Sequence, residues 1–197
     1  FNNSGTVNVQ SGTVNFTGGG TSSGSFTGSA GTTLQFSASY TLGALSIVVA
    51  DGVLFAGGAT GIVGAYTANS TTISGGSASF DSPSPDLTTT LTVSGGTLQG
   101  TGTLNVSGLT TWTGGAMTGA GITNANGGIA ASGALARTLT VSRILNVSGP
   151  TTWTIPCRGS PMPKAVIPWA AQFLRSVSTW RRAAGSAMVV PPVVGTL

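Results

Sequence analysis

The chain has 197 residues, of which 5% are charged, 40% hydrophobic and 32 glycine, with no His and a formal net charge of +4. Ordinary soluble domains carry about a quarter charged residues, so a typical cytosolic enzyme is set aside, and three acids without His leave general acid/base chemistry almost no side chains. Short alternating runs of Val, Leu, Ile and Phe set aside a disordered chain as well.

In chain order, the sequence opens in mid-pattern on Phe1-Asn-Asn-Ser-Gly-Thr-Val7, with no initiator Met. No basic segment leads into an apolar stretch, so the piece reads as internal to a longer frame, with any signal peptide upstream. Ser4-Gly-Thr-Val-Asn-Val9 is followed at once by Ser11-Gly-Thr-Val-Asn-Phe16. Each unit predicts a short half-buried strand: Val7 and Val9 point one way and Asn8 the other. Gly18-Gly-Gly20 looks like a phosphate loop but lacks the Lys and the strand-to-helix context, and reads as a corner. Leu34/Phe36, Leu91/Val93 and Leu139/Val141 repeat the strand unit. No apolar run approaches the roughly 20 residues of a membrane helix.

The clearest repeat is Leu104-Asn-Val-Ser-Gly-Leu-Thr-Thr-Trp-Thr113, which returns as Leu145-Asn-Val-Ser-Gly-Pro-Thr-Thr-Trp-Thr154 after 41 residues. Taken as two turns of a coil, this gives a rung of about 20 residues, within the range of solenoid repeats. Val7 to Val14 is 7 residues and Leu91 to Leu104 is 13, so either corners vary in length or some units are different faces of one rung. One rung cannot bury enough apolar surface to offset the ordering of its backbone, and stability is expected only from the stacked array, with aligned Asn or Thr able to form ladders.

Ser-Gly-Thr-Val-Asn-Val, the stretch 93–108 and Thr-Thr-Trp-Thr-Gly-Gly-Ala-Met-Thr-Gly at 110–119 carry a resemblance. Residues 1–154 resemble the Gly/Thr/Asn-rich passenger repeats of autotransporters and filamentous-haemagglutinin-type bacterial adhesins. The resemblance implies an all-β fold, a right-handed parallel β-helix (β-solenoid). It also implies a structural or adhesive stalk, secreted or displayed at the cell surface in association with the outer membrane. Partners would be a host or neighbouring-cell surface or a polysaccharide, together with the continuing solenoid of the parent chain. No site residue is carried over from it.

From Ile155 the composition breaks: residues 155–197 hold three Gly, six of the nine Pro and five of the seven Lys/Arg. Residues 1–154 hold Arg137 and Arg143 against three Asp, so the basic character belongs to the tail and gives no ground for nucleic-acid binding. Three readings of the tail are open. A frameshift in repeat-coding DNA turns Thr, Gly and Ser codons into Pro, Val, Ala, Arg and Trp codons. A partly helical cap is suggested by Trp169, Phe173, Val177 and Trp180 at helical spacing, with Pro168 as a start and Gly185 as a stop. The same helix could lie on an anionic membrane; otherwise the segment is disordered. Cys157 has no partner for an internal disulfide.

Candidate chemistry is sparse. Asp51, Asp81 and Asp86 could form the acid pair of a polysaccharide-cleaving β-helix, but Asp81 and Asp86 flank Pro83 and Pro85 and read as loop acids that aid solubility. Trp112 and Trp153, at the same place in the 41-residue repeat, are either a sugar-stacking platform or corner packing, and packing is the expectation. Thr71-Thr72 and Thr88-Thr-Thr90 raise an ice-binding face, which would need Thr-x-Thr in phase on successive rungs; the irregular spacing speaks against it. Gly-Gly-x-Gly-x-Asp calcium repeats are absent, and the sequons at Asn105 and Asn146 carry little weight in a bacterial chain. The expectation is no catalytic residue, no cofactor and no metal. A carbohydrate-active β-helix is the alternative function.

Overall fold

Strands this short cannot hold a sheet within one turn, so their N–H and C=O groups must find partners in neighbouring turns. The computed structural model, which describes residues 1–140, 142–154 and the backbone of Met188–Val190, shows this arrangement. Every pairing from Thr6 to Trp153 is parallel, and the product is an all-β parallel β-solenoid of about eight turns. None of the described residues is helical. Strand starts on one face mark the turns: Thr6, Ser25, Ile47, Ala65, Asp86, Thr103, Ile122 and Ile144 open turns 1 to 8.

Turns 1 to 7 each contribute to three faces, and the described residues of turn 8 to the first two. The first runs from Thr6–Val9 through Ser25–Gly28 to Ile144–Val147, and the second from Thr13–Phe16 to Thr151–Trp153. In turns 3 to 5 these two faces are served by single bent strands, Ile47–Phe55, Ala65–Ile73 and Asp86–Val93. The third face is a separate seven-stranded sheet that includes Gly20–Ser22, Ser77–Phe80 and Arg137–Leu139.

The rung is 18 residues from Ile47 to Ala65 and 22 from Ile122 to Ile144. The 41-residue repeat is two turns, since Leu104 lies beside Thr123, and Thr123 beside Leu145. The irregular spacing has both expected causes. Val7 and Val14 sit on different faces of one turn, and the corners differ in length.

Alternation places one set of side chains inside. On the first face the inward column reads Val7, Phe26, Val48, Tyr66, Asp86, Leu104, Thr123, Leu145. On the second it reads Phe16, Phe36, Phe55, Ile73, Val93, Trp112, Ala131, Trp153. Phe36 stacks on Phe16 at 5.2 Å and on Phe55 at 5.7 Å between ring centroids, so an aromatic file runs along the axis of the N-terminal turns. Toward the other end the file alternates large and small: Ala131 separates Trp112 from Trp153.

The corner between the second and third faces needs glycine where turns approach most closely. Gly76 has φ +59° and Gly115 +78°, and a Cβ at either would collide with a backbone carbonyl oxygen one turn below, of Gly58 and Gly96 respectively. At the far end Met188–Val190 pairs antiparallel with Thr151–Trp153. The frameshift, cap and membrane-helix readings of 155–197 otherwise fall outside the described residues, as does Val141.

Candidate functional site

The three acids sit at three different places, and two of them, Asp51 and Asp81, are tied to the stacking of turns. Asp51 lies where the first face bends into the second. Its carboxylate accepts from the Gly31 backbone N–H at 2.7 Å and from Asn69 Nδ2 at 3.0 Å, bridging the turns on either side. Asp81 starts the corner that leads into turn 5. Its Oδ2 accepts from Ser79 Oγ at 2.6 Å, and its Oδ1 accepts from the Thr101 N–H and Oγ1 at 2.9 and 3.0 Å. Burial works to raise the Asp81 carboxyl, but these bonds and the charge of Arg143 outweigh it and hold it below the ordinary carboxylate value.

Asp86 corrects the expectation of a solubilising loop acid. It is the first residue of a strand, points into the core between Tyr66 and Leu104, and is 1% exposed. Neither carboxyl oxygen has a hydrogen-bond partner. Burial pushes the carboxyl up to about 7; the Tyr66 backbone N–H offsets part of this from beyond hydrogen-bond geometry, and the nearby charge of Asp81 adds to the rise. The two acids therefore do not face each other across an open cleft: one is a bonded surface carboxylate and the other a buried carboxyl. The corner itself, Asp81 to Pro85 with Thr101 to Thr103 of the next turn, borders a shallow cavity of about 310 Å³.

Arg143 entered the sequence reading only as a charge, with no role assigned to it. It is 4% exposed, and its side chain runs back along the axis over Gly121. Nε and Nη2 donate to Thr123 Oγ1 at 3.3 and 2.7 Å, and Nη1 donates to the carbonyls of Thr118 at 3.2 Å and Gly100 at 3.5 Å. Burial lowers its pKa to about 10, against the pull of Asp81, so it stays charged at neutral pH. One side chain thus joins three successive turns. The signal available in the sequence was Thr123, a polar residue at a core position of turn 7 where its axial neighbours are Leu104 and Leu145.

Trp112 is buried at 3% exposure in the second-face column, so it packs the core as expected and offers no open stacking surface. Trp153 is half-buried, and the Arg137 guanidinium lies 5.2 Å from its ring centroid. Thr71 and Thr88 point inward and bond to each other at 2.8 Å, with the Tyr66 hydroxyl 2.7 Å from Thr71 Oγ1. On the outside of the second face, Thr90 and Thr92 stand over Ser70 and Thr72, but Gly52 and Leu54 interrupt the array below them. Asn105, Asn124 and Asn146 form an outward ladder, with Asn124 Nδ2 donating to Asn105 Oδ1 at 2.7 Å and Asn146 Nδ2 to Asn124 Oδ1 at 2.8 Å.

The outer surface of the first face is apolar in mid-solenoid, where Ile47, Val49 and Leu87 are each about half exposed. The third face presents Thr21, Thr41, Ser79, Gln99 and Thr118 outward, without charge. Among the described residues no group of three His, Cys, Asp or Glu is placed to hold a metal ion, and no helix is long and apolar enough to cross a membrane. Comparison with protein-family models, with curated proteins and with solved structures gave no match.

Proposed function

We propose that this solenoid is a structural repeat segment of a longer exported bacterial protein, acting as a rigid stalk whose outward faces adhere to a cell surface or a polysaccharide. One observation carries the reading. The side chains with chemical potential are spent on stacking: Asp51 bridges neighbouring turns, Asp81 holds the next turn's Thr101, and Arg143 spans three. A surface built this way offers hydroxyls, amides and scattered aliphatic groups to a partner. Among the described residues it concentrates no catalytic groups in a cleft.

The carbohydrate-active alternative rests on the opposite shifts of Asp81 and Asp86, a pattern that separates an acid from a base in glycosidic cleavage. The inward direction of Asp86 weighs against it, because a buried carboxyl cannot reach a glycosidic oxygen. The triple variant Asp51→Asn, Asp81→Asn, Asp86→Asn separates the two, assayed on a panel of polysaccharides for retention on insoluble glycan and for release of reducing ends. The stalk reading expects no reducing ends from the unaltered chain and unchanged retention by the variant. Release that disappears in the variant would establish the enzyme.

A further inference from the structure

Asp86 is the one described acid that does not help hold the turns together, and its surroundings explain what it could do instead. Its carboxyl occupies a position that other turns fill with Phe26, Val48 or Leu104, and both oxygens lack partners. A buried polar group left without partners is costly, and a buried charge more so, unless the structure can release it.

The titratable and charged groups around it do not relieve this. Tyr66, from turn 4, has its hydroxyl committed to Thr71 Oγ1. Asp81, at the head of the same corner, has the same sign of charge and disfavours ionisation of Asp86. Arg143 is bound to Thr123, Thr118 and Gly100, and its charge acts on Asp81.

The chain leading into Asp86 is suited to movement. Asp81-Ser-Pro-Ser-Pro85 contains two residues without an N–H, so Pro83 and Pro85 cannot donate to the ladder. Pro83, Ser84 and Pro85 are exposed and line the 310 Å³ cavity, which gives a displaced corner room beside Thr101 and Gly102. On the far side the chain is firmly fixed, because Thr88 is bonded to Thr71 and to the Thr90 carbonyl.

We propose that Asp86 and the exposed corner 83–85, which is anchored on its other side by the hydrogen-bonded Asp81, form a pH-operated latch in the middle of the solenoid. With its proton the carboxyl stays in the core column and the corner is closed. Loss of the proton to solvent places a charge in the core, and the carboxylate swings out with its corner toward the cavity, loosening turn 5 against turns 4 and 6. The sense follows from linkage. The closed state holds its proton up to about 7 and the open state behaves as an ordinary aspartate, so opening becomes easier as pH rises between the two values and levels off above the higher one.

Hydrogen exchange on the full chain, corrected for the intrinsic pH dependence of amide exchange, tests this. Peptides covering 80–90 are expected to lose protection at least about tenfold between about pH 5 and pH 7, while peptides covering 30–40 do not change. Asp86→Asn removes the dependence and Asp81→Asn keeps it. A flat profile in the unaltered chain, or a profile that survives Asp86→Asn, overturns the proposal. A second measurement needs no variant: the chain has three Asp and no Glu, so ¹³C-carboxyl labelling of aspartate gives three titrating resonances. One titrating near neutrality is expected, and all three titrating within the ordinary carboxylate range overturns the latch.

Discussion

Phe36→Ala is the sharpest test of the view that this fold is held together turn by turn. Phe36 is fully buried and packs on four aromatic rings. Phe16 and Phe55 stack at 5.2 and 5.7 Å, Tyr40 lies at 5.3 Å, and Phe26 at 6.1 Å with its plane at 76°. Truncating a buried Phe costs about 3–5 kcal/mol, and the aromatic pairs place this site at the upper end, near 4–5 kcal/mol. The void opens two interfaces at once, turn 1 on turn 2 and turn 2 on turn 3. In a solenoid each turn contacts only its neighbours, so the loss should stay local. Hydrogen exchange resolved by peptide is expected to show residues 25–55 exchanging about a thousandfold faster, since about 1.4 kcal/mol corresponds to a factor of ten, while residues 104–131 stay within about tenfold of the unaltered chain. A uniform rise along the chain would show that the turns unfold as one unit. A cost below about 1.5 kcal/mol would show that the aromatic file contributes no more than ordinary packing.

Other substitutions probe other parts of the design. Gly76→Ala combines a positive φ with a clash against the Gly58 carbonyl and should lower stability by about 2–4 kcal/mol in urea unfolding, whereas Gly61→Ala, with open space around its Cβ and no positive φ, should be neutral or stabilise by up to about 1 kcal/mol. Asn124→Ala removes both bonds of the outward ladder and is expected to cost about 1–2 kcal/mol, with Asn105→Ala costing about half of that. Arg143→Met leaves Thr123 Oγ1 and the Thr118 carbonyl unpartnered and should cost about 2–4 kcal/mol, seen as early loss of protection over 118–125. Global stability should also follow Asp86: full below about pH 4, it declines as pH rises to about 7 because the unfolded chain releases the proton first. The upper limit of the decline is about 4 kcal/mol, and about 2 kcal/mol is expected once water reaches the site; denaturation of Asp86→Asn across the same range should lack this decline.

The sequence made the stacking legible because the inward positions repeat. Val9, Leu34, Phe36, Leu91, Val93, Leu104 and Val106 are all buried where alternation places them. The rung length was legible from only two turns in eight, and the reason is physical. Turn 7 carries Thr123 under Arg143 and Ala131 between two indoles, so its residues had to differ from those of turns 6 and 8, and identity surfaced at 41 residues instead of at one rung. Asp86 reads as a loop acid because Pro83 and Pro85 stand just before it, and the alternation of the strand does not reveal the error. In Asp86–Val93 the residues Thr89 and Thr90 both face outward where the first face bends into the second, and this shifts the alternation by one. Counted back from Leu91 and Val93 without that shift, Leu87 would be inside and Asp86 outside. The structure has Leu87 at 48% exposure and Asp86 at 1%.

That phase shift bears on where recognition could reside. The inward columns are constrained by packing along the axis, so a change there is felt by the turns above and below. Apart from the ladder of Asn105, Asn124 and Asn146 the outward columns are less constrained, and they are where the composition departs most from an ordinary surface: hydroxyls and amides on the second and third faces, aliphatic groups at Ile47, Val49 and Leu87 on the first. With two Arg and three Asp in residues 1–154, and Asp86 and Arg143 both buried, almost no charge is left outside to steer a partner. If these faces adhere to a partner, as proposed above, the contact would rest on many weak hydrogen bonds and apolar contacts repeated at the spacing of the turns, about 4.8 Å, which favours a repetitive partner over a small ligand. A long stack suits such a surface, because each added turn extends the contact without requiring a new kind of site.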